Sequence, residues 1–98
     1  MRISFNDAID LFREWRDEAI PLSIDLALGD NPGKFEAVII AVSLSGRIVF
    51  SVLPHRRRAS INFSGCTDFI RKDVGDDEWE DFLTVFLGRD FVTFGKRK

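Results

Sequence analysis

Residues 35–64 read FEAVIIAVSLSGRIVFSVLPHRRRASINFS, and the fold turns on how this stretch divides. Three short runs of β-branched and aromatic residues are separated by turn residues, the pattern of consecutive antiparallel strands. Ser45-Gly46 suits a two-residue hairpin turn between strands at 35–44 and 47–53. That register sets Val42 opposite Val49 and Ala41 opposite Phe50. One face then carries Val38, Ile40, Val42, Leu44, Val49 and Leu53. The other carries Ile39, Ala41, Ile48, Phe50 and Val52. A three-residue loop would change this parity. Both faces are apolar, whereas an antiparallel sheet with one wet face alternates. Something must therefore cover the second face: a helix, a ligand or a second chain. Residues 59–64 alternate cleanly, with Ala59, Ile61 and Phe63 inward.

Upstream, Phe5, Ala8, Ile9, Phe12, Trp15 and Ala19 recur at helical spacing and predict an amphipathic helix over 5–20. Ser4 is its N-cap, with Asp7 three residues on, and Pro21 stops it. Leu22, Ile24, Leu26 and Leu28 alternate with Ser23, Asp25 and Ala27, the pattern of a half-buried strand at or near a sheet edge. Residues 29–34, GDNPGK, read as a turn.

Downstream, residues 65–75 fit a short helical turn capped by Thr67 or another extended segment led by Phe69 and Ile70, with an irregular or short helical segment preferred. Trp79, Phe82, Leu83 and Phe86 match the i, i+3, i+4, i+7 template and predict a second helix over 77–87. Asp76 or Asp77 would cap it, Glu80 would complete a capping box, and Gly88 would end it. Residues 91–94, FVTF, would add an edge strand or tuck under the sheet. Lys96, Arg97 and Lys98 form a basic tail after a single domain at 1–95.

The expected fold is α+β with two layers: an N-terminal helix, an antiparallel meander of four to five strands, and a C-terminal helix. With both helices on one face, Ile39, Ala41, Ile48, Phe50 and Val52, together with Trp79 at a helix rim, become interface candidates for a homodimer formed through the sheet.

Composition narrows the function classes. The chain has 98 residues, 14 basic and 16 acidic, for a net charge of −2. Nucleic-acid binding is unfavoured by that balance. One cysteine, Cys66, cannot form an internal disulfide. The longest apolar run, 37–42, is far shorter than the ~20 residues of a membrane span, and the start lacks a secretory h-region. A cytoplasmic protein is expected.

His55, Arg56, Arg57 and Arg58 form a basic loop. Adjacent arginines repel one another and gain from an anion, which guanidinium binds bidentately. The acidic stretch Asp73, Asp76, Asp77, Glu78, Glu80 and Asp81 lacks the spacing of a calcium loop and suits a helix N-terminus instead. Cys66, His55 and Asp68 are the residues from which a thiol nucleophile system could be assembled, yet nothing in the spacing joins them. One Cys and one His do not complete a zinc site without carboxylates. No catalytic motif or cofactor fingerprint is present. The expectation is a non-catalytic protein-interaction or regulatory domain without a cofactor or metal. The alternative is a small anion- or ligand-binding module that uses loop 55–58.

Overall fold

The computed structural model describes residues 1–66, 68–72 and 79–97. Among them are one helix and eight strands: β1 (Arg2–Ile3), α1 (Phe5–Glu18), β2 (Leu22–Leu28), β3 (Asn31–Val42), β4 (Arg47–Val52), β5 (Arg57–Asn62), β6 (Asp68–Lys72), β7 (Trp79–Leu87) and β8 (Asp90–Arg97). All pair antiparallel in one sheet, in the order β1-β6-β7-β8-β2-β3-β4-β5. This corrects the expected fold in two ways. Among the described residues there is no C-terminal helix, and the sheet has eight strands in two meanders, β2–β5 and β6–β8, joined through β2 and β8.

The predicted helix over 77–87 fails because β7 is apolar on both faces. Leu83 and Val85 are buried, while Phe82, Thr84 and Phe86 on the opposite face are half-buried. A strand greasy on both sides also fills the i, i+3, i+4 template, so periodicity alone does not separate the two states. Thr84 and Val85 are β-branched and favour the strand. Leu87 pairs with Asp90 across Gly88-Arg89, and Gly88 has φ 70°. That is the first position of a two-residue hairpin turn, where glycine meets the positive φ without a Cβ penalty. The proposed caps Asp76 and Asp77 lie outside the described residues. The FVTF piece and Lys96-Arg97 are not an edge and a tail: they belong to β8, deep in the sheet order. Residues 68–72 form β6, the extended alternative for the segment 65–75 rather than the preferred irregular or short helical one.

The helix is as its sequence predicts. Ser4 caps it by accepting the Asp7 N–H at 3.1 Å, and Ala19 leaves it in the left-handed conformation at φ 51°. β2 also has its predicted bounds, but it is central, held by β8 on one side and β3 on the other. The turn read over 29–34 shrinks to Gly29-Asp30, and β3 starts at Asn31. Leu28–Asn31 closes a two-residue hairpin and so is a hydrogen-bonded pair. The next pair, Ala27–Pro32, is not. The N–H that proline lacks would have pointed away from β2, beyond the end of β4, where no ladder bond is lost.

The β3–β4 hairpin turns through three residues. Ser43 N–H donates to Arg47 C=O at 2.9 Å, and Val42 faces Ile48 rather than Val49. A shift between Ile39 and Ala41 then restores the odd register, leaving Ile40 as the extra residue, 41 % exposed. The bulge exchanges Ala41 for Val42 on the inner face. Ile39, Ile48, Phe50 and Val52 stay there together.

The sheet is strongly curled. Six strand-to-strand steps separate β6 from β5, about 29 Å in a flat sheet at ~4.8 Å per step. From Asn62 to Asp68 the chain has six Cα steps, with a reach of about 21 Å. The link across 63–67 is therefore possible only if the two sides of the sheet curve towards each other. The overall extents of 32 × 31 × 28 Å agree with that.

Helix α1 occupies the concave side. Its buried Ala8, Ile9, Leu11, Phe12 and Trp15 share one core with Leu22, Ile24, Ala37, Ile39, Ile48, Phe50, Phe69, Leu83, Val85, Val92 and Phe94. Phe12 lies at the centre, with ring centroids 6.1 Å from Trp15, 5.8 Å from Phe63 and 5.0 Å from Phe94. Near the crossover, Phe5 meets Phe69 edge-on at 5.8 Å.

Candidate functional site

The helix covers the very face that the sequence left open. Ile39, Ile48 and Phe50 are 0–2 % exposed beneath it, and Val52 packs against the same core. The first three offer no surface to a second chain, and Val52 is half-buried. Ala41 lies exposed on the convex side, and Trp79 sits in β7, its side chain outside what the structure describes. The interface candidates thus fall on two sides of the sheet, and the second apolar face has its cover within the chain.

The basic residues sit at one corner of the sheet. β4 and β5 are joined by Leu53-Pro54-His55-Arg56, with Val52 opposite Arg57. The Leu53–Pro54 peptide is cis, Arg56 is left-handed at φ 58°, and Arg57 is the first residue of the ladder. Arg57 is in register with Val52 and Arg58 with Ser51. Successive strand residues point to opposite faces, so Arg57 and Arg58 leave β5 on opposite sides of the sheet, with Arg56 in the turn before them. His55, Arg56, Arg57 and Arg58 are all exposed. Among the described residues none of them makes an ion pair, whereas Arg2, Arg16, Arg71 and Lys96 each do.

These arginines open the free edge of the sheet. Among the described residues β5 pairs with β4 and with no other strand. Phe63 N–H donates to Gly46 C=O at 2.8 Å, which fixes the alternation of the ladder: pairs 48–61, 50–59 and 52–57 exchange hydrogen bonds with β4. Arg58, Ser60 and Asn62 therefore turn their backbone N–H and C=O groups outward, and all three are exposed. On the concave side Ala59 and Ile61 are half-buried against the core. Sequence reasoning found the basic loop and the β5 parity. It missed the edge, which depends on which strand β8 joins.

Two shallow depressions mark the surface of the described residues. One, of about 320 Å³, lies over β2 and β3 and is lined by Ser23, Asp25, Lys34, Phe35 and Glu36. Asp25 Oδ1 is buried there without a hydrogen-bond partner. The other, of about 290 Å³, lies between α1 and β6 and includes Asp7, Asp10, Glu14 and Arg71. Arg71 is engaged with Asp81 at 3.0 Å, which takes Asp81 out of the acidic stretch; Glu80 is exposed, and Asp73, Asp76, Asp77 and Glu78 lie outside the described residues. No group of three or more metal-ligating side chains occurs among the described residues.

The thiol trio is not brought together. His55 precedes the start of β5 and Cys66 follows its end, so the strand's length of about 17 Å stands between them. Asp68 is paired with Arg2 at 3.3 Å. Burial pushes the Cys66 thiol above its ordinary pKa, opposite to the activation a nucleophile needs. No helix among the described residues is long and apolar enough to cross a membrane. No family model, curated protein or solved structure matches the chain.

Proposed function

We propose that this protein is a non-catalytic interaction domain that docks an acidic segment of a partner protein at the Arg56–Arg58 corner. One observation carries the reading: three adjacent exposed arginines, without ion pairs among the described residues, stand where the sheet ends. Unpaired like charges raise the local potential and favour an anionic partner. Their splay across both sides of β5 suits several carboxylates spread along a polypeptide better than one small anion held by convergent groups. A second copy docked through the same corner would set arginine against arginine.

Hexaglutamate titrated into isotope-labelled protein should shift the amide signals of residues 56–60, with affinity falling steeply as salt rises. The triple replacement Arg56→Ala, Arg57→Ala, Arg58→Ala should remove the shifts. Shifts that survive the triple replacement, or tight binding of inorganic phosphate at the same residues, would overturn the reading. So would a solution mass of twice the 11.2 kDa chain that is lost with the three arginines.

A further inference from the structure

We infer that the partner segment binds β5 as an added strand, carrying carboxylates at one end and apolar side chains at alternate positions after them. This rests on the docking reading above and goes further by naming the mode of binding and the pattern of the segment. The backbone argument comes first. The edge offers the outward N–H and C=O groups of Arg58, Ser60 and Asn62, spaced two residues apart as an incoming strand requires. The usual obstacles to such pairing are short strands, proline, bulges and charge. β1, at the opposite edge, has two residues. β5 has six, RRASIN, paired in continuous register with neither proline nor bulge. Charge alone guards it, and only at its first two positions. A segment that neutralises Arg57 and Arg58 meets none of these obstacles.

The side-chain argument gives the pattern. Residues on an added strand alternate between the two faces, like those of β5. On the concave side they would lie beside Arg57, Ala59 and Ile61, and the last two are half-buried against the core. On the convex side they would lie beside Arg58, Ser60 and Asn62, all exposed. The fitting segment is therefore acidic next to Arg57 and Arg58, then apolar and polar in alternation. Every pairing in the sheet is antiparallel, and an antiparallel addition sets the acidic end at the segment's C-terminus.

Two synthetic peptides test this, Thr-Val-Thr-Val-Glu-Glu, which sets its valines beside Ala59 and Ile61 when its glutamates lie beside Arg57 and Arg58, and the block isomer Val-Val-Thr-Thr-Glu-Glu, both with blocked ends. Ser60→Pro is the discriminating variant. It deletes an outward N–H while leaving the hydrogen-bonded pairs to β4 intact, and edge strands tolerate proline at such positions. The alternating peptide should bind more tightly than its isomer, and Ser60→Pro should weaken it by about tenfold or more, the worth of a lost hydrogen bond. In the unaltered protein, the exchange of the Ser60 and Asn62 amides should slow by about tenfold on binding, since amide exchange reports newly hydrogen-bonded N–H groups. That readout decides the matter even where the proline variant fails to fold. Unchanged exchange at these amides, with binding that still requires the arginines, sinks strand addition and leaves the docking reading standing. Failure of both peptides to bind at millimolar concentration sinks the two together.

Discussion

Replacing Gly46 by alanine should cost more stability than the same change at any other turn glycine, because Gly46 combines a forbidden backbone angle with no room. Its φ is 102°, a region that residues with a Cβ rarely enter, which costs about 1–3 kcal/mol. A Cβ there would stand 3.0 Å from the Phe5 ring and 3.1 Å from the Ser64 backbone nitrogen. Forcing extra volume into such a site adds about 1–3 kcal/mol. The sum is about 2–6 kcal/mol, a large part of the ~5–15 kcal/mol that holds a domain together. Gly88→Ala is the control: φ is 70°, and nothing lies within 4 Å of the added carbon. It should lose about 1–2 kcal/mol from backbone strain alone. Urea unfolding of both variants measures the difference directly. A double-mutant cycle with Phe5→Ala should show a coupling of about 1 kcal/mol or more, because the shorter side chain relieves part of the clash. Equal losses for the two glycine variants, or no coupling to Phe5, would refute the claim that the corner is closely packed. That claim matters because Gly46 C=O also fixes the end of β5 through Phe63.

Two further outcomes are expected. Phe12→Ala should cost about 3–5 kcal/mol in urea unfolding, as for other fully buried rings, because Phe12 is 0 % exposed and meets three aromatic rings; a loss below about 1 kcal/mol would mean that α1 is not the cover of the sheet. Cys66 has its pKa raised by burial, so its reactive thiolate appears at higher pH than in an unfolded chain. Iodoacetamide labelling at pH 8 should therefore be slower in the native protein than in urea, the gap narrowing as pH rises through the folded-state pKa.

The two hairpin turns show how local chemistry and distant pairing divide the work. Gly29-Asp30 and Gly88-Arg89 are both two-residue turns led by a glycine with positive φ. The first is legible because apolar residues at every second position precede it. The second follows a run apolar on both faces, and a glycine there reads equally as a helix C′ residue. Sequence alone could not break the tie, because what favours the strand is the ladder with β6 on one side and β8 on the other. The basic loop was legible for a simpler reason: four polar residues between two strands have nowhere to go but the surface. That Arg57 and Arg58 point apart follows from their entering the ladder, which in turn depends on the four-residue turn at 53–56.

By itself the sequence determined the capped helix at its N-terminal end, the strands β2 and β4, the parity of β5 and the exposure of the arginines. Each rests on spacing, turn residues or charge within a few positions of the chain. Only the tertiary structure decided that β8 returns to β2, that the sheet curls around α1, and that β5 is left as the free edge. Those outcomes depend on pairing between residues some seventy positions apart, Ser23 with Gly95 and Ile24 with Phe94, and on a short link that the sheet can satisfy only by bending. Periodicity records which face a residue seeks. It does not record which distant strand or helix will cover that face, and in this protein that choice set both the fold and the surface left for a partner.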